Sequence, residues 1–422
     1  MRVCFLLSEG SMFSGGQGVY VSNLTRELAA LGHDVHVIAG PPYPELAGGV
    51  RLYRVQNYNF HRLLATGRRF FYGRPLLDPF HPLNFGELVT TRLGMYSVMG
   101  AFSIRAYQRL RDLSRYLRFD VVHDNQVLGY GTLLIKSMGL PVVATVHHPL
   151  DVDRTNRIRE ARSAVEQARA VLFYPFFMQR LVLHRIDRVI AVSSSAARAV
   201  ARAFGLPQER VAVVENGVDT ATFRRLPDVQ PERGRILFVG DSEDRNKGFR
   251  YLLLALQRLE PSSHLVVVQR SWSKRSPPLA RELGLEGRVT FLDSLTTEEL
   301  VREYNRAQLL VSPSLYEGFG LPAAEALASG TPVVATTTGA MRELVEDGLS
   351  GLLVPPGQVQ PLAEAIGTLL RDPERCRRMG KAGARRIRER FSWRRAAEQM
   401  TALYQEVTDR REAVAPRLEL VP

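Results

Sequence analysis

Cysteine is nearly missing: Cys4 and Cys376 are the only two in 422 residues. Two thiols so far apart give neither a disulfide framework nor the spacing of a metal-binding cluster, and we expect a reducing, cytoplasmic setting. Long apolar runs are absent too. The longest, Val171 to Met178, ends at Gln179 and Arg180, whereas a spanning helix needs roughly 20 such residues. The opening MRVCFLLSEG has one Arg and a short apolar stretch before Glu9, which reads as a buried strand rather than a signal peptide. Lysine is scarce, at four positions (136, 247, 274 and 381). No tract is low in complexity, and a hydrophobic share of 45% with 23% charged residues excludes disordered and collagen-like chains.

What the sequence does have is an uneven charge. The net +13 is concentrated in the first half: residues 1–218 carry 26 basic against 16 acidic side chains, residues 219–422 carry 30 against 27. The first half is therefore expected to meet something anionic, such as phosphate, a lipid surface or nucleic acid.

Short apolar runs alternate with helical patterns throughout. Val3–Leu7, Val35–Ala39, Val121–His123, Val142–Val146 and Arg188–Val192 read as strands buried on both faces, and Ile236–Val239, Leu265–Val268, Val289–Phe291, Leu309–Val311 and Val333–Thr336 repeat the theme. Between them, Gly18–Leu31, Arg250–Leu259 and Leu362–Arg371 space their apolar residues as helices do. This order predicts parallel sheets covered on both faces, an α/β fold of two Rossmann-like domains facing across a cleft. The series pauses at the polar stretch Thr220–Gly234, so the expected domains are residues 1–215 and 216–392. Two segments break the rhythm. Residues 57–118 and 155–187 interleave Arg with aromatics such as Phe60, Phe70, Phe85 and Phe177. They suit either a solvated helical insert or contact with an anionic membrane.

The chemistry concentrates in EGFGLPAAEA, Glu317 to Ala326. It follows a strand, its glycines permit unusual backbone geometry, and Pro322 fits the first turn of a helix. A helix starting near Leu321 would aim free N–H groups and its positive dipole end at the Gly318–Gly320 loop, a phosphate-binding arrangement. Glu317 and Glu325 are too far apart in sequence to hold one small group. They suit a ligand with hydroxyls at both ends and an anionic middle. In FVGDSEDRNKG, residues 238–248, Arg245 and Lys247 are two cations that could neutralise a phosphate-bearing ligand. Gly15-Gly16-Gln17-Gly18 forms a second glycine-rich strand-to-helix turn, and His147 and His148 end a strand at its ligand-facing edge. Asp151-Val152-Asp153 follows, and no metal is expected there, since the family that the chain resembles, named below, has a metal-independent fold.

Together with SGTPVVATTTGAMRELVEDGLSGLLVPP, SGGQGVY, VIAVS, ENGVD and FSWRRAAEQMTALY, the string EGFGLPAAEA resembles the retaining glycosyltransferases of family 4, which have the GT-B fold. The resemblance implies a hexosyltransferase that uses a nucleotide-diphosphate sugar as donor and needs no further cofactor. It gives Glu317 the donor sugar hydroxyls and Glu325 the ribose. The backbone of Gly318, Phe319, Gly320 and Leu321 would meet the sugar and diphosphate. Arg245 and Lys247 would meet the leaving group, although the family's usual Gly-Arg is here Gly240-Asp241. Gly15 and Gly16 would lie over the donor phosphate and acceptor, and His147 would contact the donor sugar. A C-terminal helix over 393–410 would pack back on the first domain.

Retention through a double displacement would need a carboxylate beneath the anomeric carbon, and Glu317 is the only motif candidate. Same-face attack, with the leaving phosphate accepting the acceptor's proton, is the preferred expectation. The acceptor is a small molecule, a glycan or a lipid-linked sugar, and in the last case the protein would sit peripherally on the inner membrane face. The competing readings are a basic nucleic-acid-binding protein, a catalytically silent GT-B partner or sugar sensor, and a starch or glycogen synthase relative. No recognisable nucleic-acid module accompanies the charge, and Glu317, Glu325 and Lys247 are all present.

Overall fold

The computed structural model describes residues 1–12, 16–58, 81–161, 163–269, 278–293 and 295–414. Gly15 and much of the first Arg-rich segment, including Phe60 and Phe70, lie outside the described residues. The chain divides into two compact units. One comprises Met1–Val192, Ala197–Val214 and the chain from Ala397 onward; the other comprises Ser193–Ala196 and Glu215–Ala396.

The first unit is built on a seven-stranded sheet: β1 (Arg2–Leu7), β2 (Asp34–Ala39), β3 (Arg51–Arg54), β4 (Val121–Asn125), β5 (Val142–Val146), β6 (Arg188–Ala191) and β7 (Val211–Val213). Their order is β3-β2-β1-β4-β5-β6-β7, and every pairing is parallel. β4 and β5 are buried along their whole length, as parallel strands with helices on both faces must be.

The second unit repeats the plan with β8 (Arg235–Val239), β9 (His264–Gln269), β10 (Val289–Asp293), β11 (Leu309–Ser312), β12 (Val333–Thr336) and β13 (Gly351–Val354). The order β10-β9-β8-β11-β12-β13 is again wholly parallel. Ile236, Leu309 and Val267 of the sheet pack with Leu252, Leu253, Leu256 and Ile366 of the covering helices, all 0–1% exposed. Each such side chain contributes roughly 1.5–3 kcal/mol by leaving water. In both units the strand order reverses beside the first strand, between β1 and β4 and between β8 and β11. Ligands of such sheets bind outside the carboxyl ends of the strands at that switch point.

The sequence pattern located ten of the thirteen strands. It missed β3, β7 and β13, strands of three or four residues; in β3, Arg51 and Arg54 interrupt the apolar run. No helix or strand lies between Thr220 and Gly234. The Arg-rich segments form the helices Pro82–Arg92, Val98–Leu113, Leu150–Glu160, Ala164–Phe173 and Phe176–Arg185. Their Arg and aromatic residues partly serve each other. Arg105 pairs with the buried Glu87 at 2.8 Å, and Arg154 and Arg157 stack over Phe176 and Phe173 at 4.7 and 4.9 Å from the ring centroids. Among the described residues no helix is long and apolar enough to cross a membrane.

Candidate active site

Two loops leave the carboxyl ends of the neighbouring strands β8 and β11, and they are tied together along the backbone. Leu315 N–H donates to the Asn246 carbonyl at 2.7 Å. Gly248, at φ +65°, passes so close that a Cβ there would lie 2.0 Å from the Pro313 carbonyl oxygen. Asp244 caps the short turn Arg245–Lys247 by accepting from Asn246 N–H at 2.9 Å. The result brings Lys247 Nζ to 2.8 Å from Glu317 Oε2. Ser314 Oγ donates to the same carboxylate oxygen at 3.4 Å. Arg245 lies on the same turn as Lys247, exposed.

Glu317 is held from behind as well. Gly339, at φ +54°, leaves no room for a side chain: a Cβ would stand 1.7 Å from the Glu317 carbonyl oxygen. That carbonyl accepts from Ala340 N–H at 3.2 Å. Beyond Glu317 the chain turns through Gly320 (φ +96°) into the helix Leu321–Ala328. No side chain caps this helix and no acidic residue sits in its first turn, so its free N–H groups and positive end are left for an anion. Gly318, Gly320 and Leu321 form that approach. The Phe319 side chain is instead 5% exposed and packs edge-on against Phe391, ring centroids 5.8 Å apart. Only its backbone is available to a ligand.

Glu325 lies in the same helix, 4% exposed, and accepts a hydrogen bond from Tyr304 O–H at 2.7 Å. A buried carboxylate needs such a donor. Tyr304 was not singled out in the sequence, because it reads there as one of the apolar positions of Thr297–Arg306. The contact with Glu325 exists only once that helix packs beside Leu321–Ala328.

The first unit carries a second set. Gly16, at φ +72°, opens the helix Gln17–Ala30 without a side-chain cap. A Cβ on Gly18 would lie 2.4 Å from the Ser11 carbonyl oxygen, so this turn demands glycine. At the end of β5, His147 Nε2 sits 2.8 Å from Asn125 Oδ1 at the end of β4. Gln126 Oε1 accepts from the backbone N–H of His147 at 2.7 Å and of His148 at 3.2 Å. Burial pushes the His147 imidazole down to about 3, so at neutral pH it is uncharged. With the Asn125 amide in this orientation Nε2 carries the proton and Nδ1 is the acceptor. The Tyr20 ring meets His147 edge-on at 4.6 Å between centroids. Behind it, His123 bridges Thr145 Oγ1 (2.7 Å) and Tyr404 O–H (2.6 Å). Asn125 and Gln126 escaped the sequence reading, since polar residues after a buried strand carry no periodic signal.

Asp151 pairs with Arg154 at 3.1 Å. Among the described residues no group of three His, Cys, Asp or Glu is placed to hold a metal.

Two Rossmann-like units with parallel sheets of seven and six strands are the architecture of the GT-B glycosyltransferases. Sucrose-phosphate synthase from Thermosynechococcus elongatus has a similar structure (TM-score 0.73, 25% identity, 97% of this chain and 100% of that one). The Anabaena protein HepE, solved in complex with UDP-glucose, has the same fold at 18% identity (TM-score 0.69, covering 96% of this chain and 100% of that one). Residues 14–222 match the profile of Glycosyltransferase Family 4, and residues 219–386 that of Glycosyl transferases group 1. An MMP alpha-(1->4)-mannosyltransferase of Mycolicibacterium hassiacum is 38% identical over 97% of this chain and 99% of its own. A D-inositol 3-phosphate glycosyltransferase of Corynebacterium aurimucosum is 30% identical over 96% and 94%. The chain belongs to glycosyltransferase family 4. It is an enzyme of the hexosyl-transferring type.

Proposed function

We propose that the protein transfers a hexosyl group from a nucleotide-diphosphate sugar to an acceptor hydroxyl, with retained configuration and without a metal. The observation that carries this reading is the meeting of Lys247 and Glu317 at the β8–β11 switch point, beside an uncapped helix N-terminus. Glu317 would accept hydrogen bonds from the donor sugar, and Glu325 from the ribose. Lys247 and Arg245 would face the diphosphate, whose negative charge grows as it leaves, together with the N–H groups of Gly318–Leu321. Cations and dipoles fixed in advance stabilise that developing charge more than the ground state.

The anomeric carbon–oxygen bond to the diphosphate breaks while the acceptor oxygen bonds to the same face. The departing phosphate oxygen takes the acceptor's proton. Within the first unit, neutral His147 would hydrogen-bond the donor sugar, and Gly15 and Gly16 would contact the donor phosphate and acceptor. The M. hassiacum relative is named for alpha-(1->4) mannosyl transfer, and a mannosyl donor with a glycan acceptor is the substrate pair we favour.

Thermal-shift screening of UDP-, GDP- and ADP-sugars, followed by NMR of the product linkage with and without EDTA, tests this reading. A stabilising GDP- or UDP-mannose, an α-linked product and EDTA resistance are expected. An inverted product, or activity restored only by a divalent ion, would overturn the mechanism.

Peripheral binding to an anionic membrane is a separate part of the proposal. Phe85, Leu93 and Phe177 are 52%, 67% and 70% exposed on the Arg-rich helices, a combination suited to lipid headgroups. Flotation with anionic liposomes, lost at high salt, is the expected result. Equal recovery with neutral liposomes would remove the electrostatic part.

A further inference from the structure

The second unit contains a cavity of about 480 Å³ at the opposite edge of its sheet from the candidate site. Its wall includes Glu232 and Arg233, just ahead of β8, Ala307 and Gln308 at the start of β11, and Pro332, just ahead of β12. The helix Pro373–Arg390 closes the other side through Cys376, Lys381, Ala384 and Arg388.

The charges around it are unbalanced. The one lining carboxylate, Glu232, is already engaged by Arg306 at 2.6 Å and Arg235 at 2.9 Å. Arg377 is committed to Glu374, and Arg225 donates to the carbonyls of Asn305 and Val229. The side chains of Arg233, Lys381 and Arg388 make no hydrogen bond or ion pair with another described residue. Three uncommitted cations therefore line a pocket whose wall also includes Pro231, Pro332, Ala307, Ala384 and Gly330. The wall at Gly330 is held closely, because Gly380 packs so tightly on it that a Cβ on Gly380 would come within 1.9 Å of the Gly330 carbonyl oxygen.

A volume of this size suits a small ligand. Guanidinium and ammonium groups favour a phosphate, and the apolar wall favours a ring. We propose that this cavity binds a small organic phosphate, its anion on Arg233, Lys381 and Arg388 and its ring on the Pro231–Pro332 wall. The site is distinct from the sugar-donor site. Gly330, which lines the cavity, closes the helix Leu321–Ala328. The helix Leu321–Ala328, about 12 Å long, thus runs from the glycine loop of the donor site to the cavity. The inference does not depend on the proposed reaction, because its readout is binding.

Calorimetry on the full chain with phenyl phosphate, inorganic phosphate and benzyl alcohol tests it. Phenyl phosphate should bind in the millimolar range or tighter, ahead of inorganic phosphate, and benzyl alcohol should not bind. The exposed pair Lys381→Glu with Arg388→Glu should weaken phenyl phosphate by about tenfold or more, with circular dichroism unchanged. Ala384→Trp, which fills the cavity, should abolish binding if the double variant fails to fold. Glu325→Ala should leave phenyl phosphate affinity unaltered. Absence of binding, equal binding in the charge-reversed and filled variants, or loss with Glu325→Ala alone would each overturn the proposal.

Discussion

Lys247 Nζ lies 2.8 Å from Glu317 Oε2, although 70 residues separate them in the chain. The pair joins two loops at the place where the strand order of the second sheet reverses. Without a donor the two charges satisfy each other; with one, each has a separate partner, the amine the diphosphate and the carboxylate the sugar. Glu317→Ala is therefore expected to lower kcat/KM by about 100-fold or more while the circular dichroism spectrum is kept. Lys247→Ala should cost a similar factor, mostly in kcat, and weaken binding of the nucleoside diphosphate product. Steady-state rates by chromatography of the released nucleotide would measure both. Normal turnover in Glu317→Ala would remove the residue from the chemistry.

Tyr304 and Glu325 make a second, buried pair. Removing the hydroxyl in Tyr304→Phe leaves a buried carboxylate short of one donor, a loss of about 1.5–3 kcal/mol for a hydrogen bond to a charged group. The melting temperature should fall by several degrees, and the donor KM should rise with little change in kcat. An unchanged KM would separate Glu325 from nucleotide binding.

Gly339 fixes the backbone of Glu317 by proximity. Gly339→Ala adds a methyl group where the Glu317 carbonyl oxygen already stands, at a left-handed φ that alone costs about 1–2 kcal/mol for a side-chain-bearing residue. Reduced thermal stability together with reduced activity is expected. Alanine at the open position Gly348, also at positive φ but with nothing within 4 Å, should lower stability only mildly and leave activity intact.

Acid should destabilise the first unit. His123 and His147 are held neutral, their pKa pushed from an ordinary 6.5 down to about 3, chiefly by burial. The unfolded chain binds protons at these sites below pH 6.5 and the folded chain does not, so stability falls as pH drops from about 6.5 towards 3. Asp124 works the other way. Burial raises its carboxyl to about 6 despite hydrogen bonds from Thr132, Val127 and Leu128, so its contribution to stability grows as pH falls from about 6 towards 3.8. Two imidazoles outweigh one carboxyl, and urea midpoints should drop on acidification. His147→Gln should flatten that slope; an unchanged slope would show that His147 is protonated in the fold.

The alternation of apolar runs with helical spacing was enough to give two Rossmann-like sheets, because strands buried on both faces must be continuously apolar. β3 escaped because an edge strand is relieved of that demand and can carry Arg51 and Arg54. Likewise the Glu317–Glu325 string and Lys247 were legible, since glycine, proline and paired charge near a strand end have few structural uses.

The sequence alone determined the fold class, the two sheets and the acidic loop, all properties of local pattern and spacing. Only the tertiary structure decided that Lys247 meets Glu317, that Tyr304 supports Glu325, that Asn125 faces His147 and that Arg105 pairs with the buried Glu87. These partners lie between 18 and 70 residues apart. Their meeting depends on which strands become neighbours in a crossover topology, and the two-residue or four-residue periodicities of a chain carry no record of that choice.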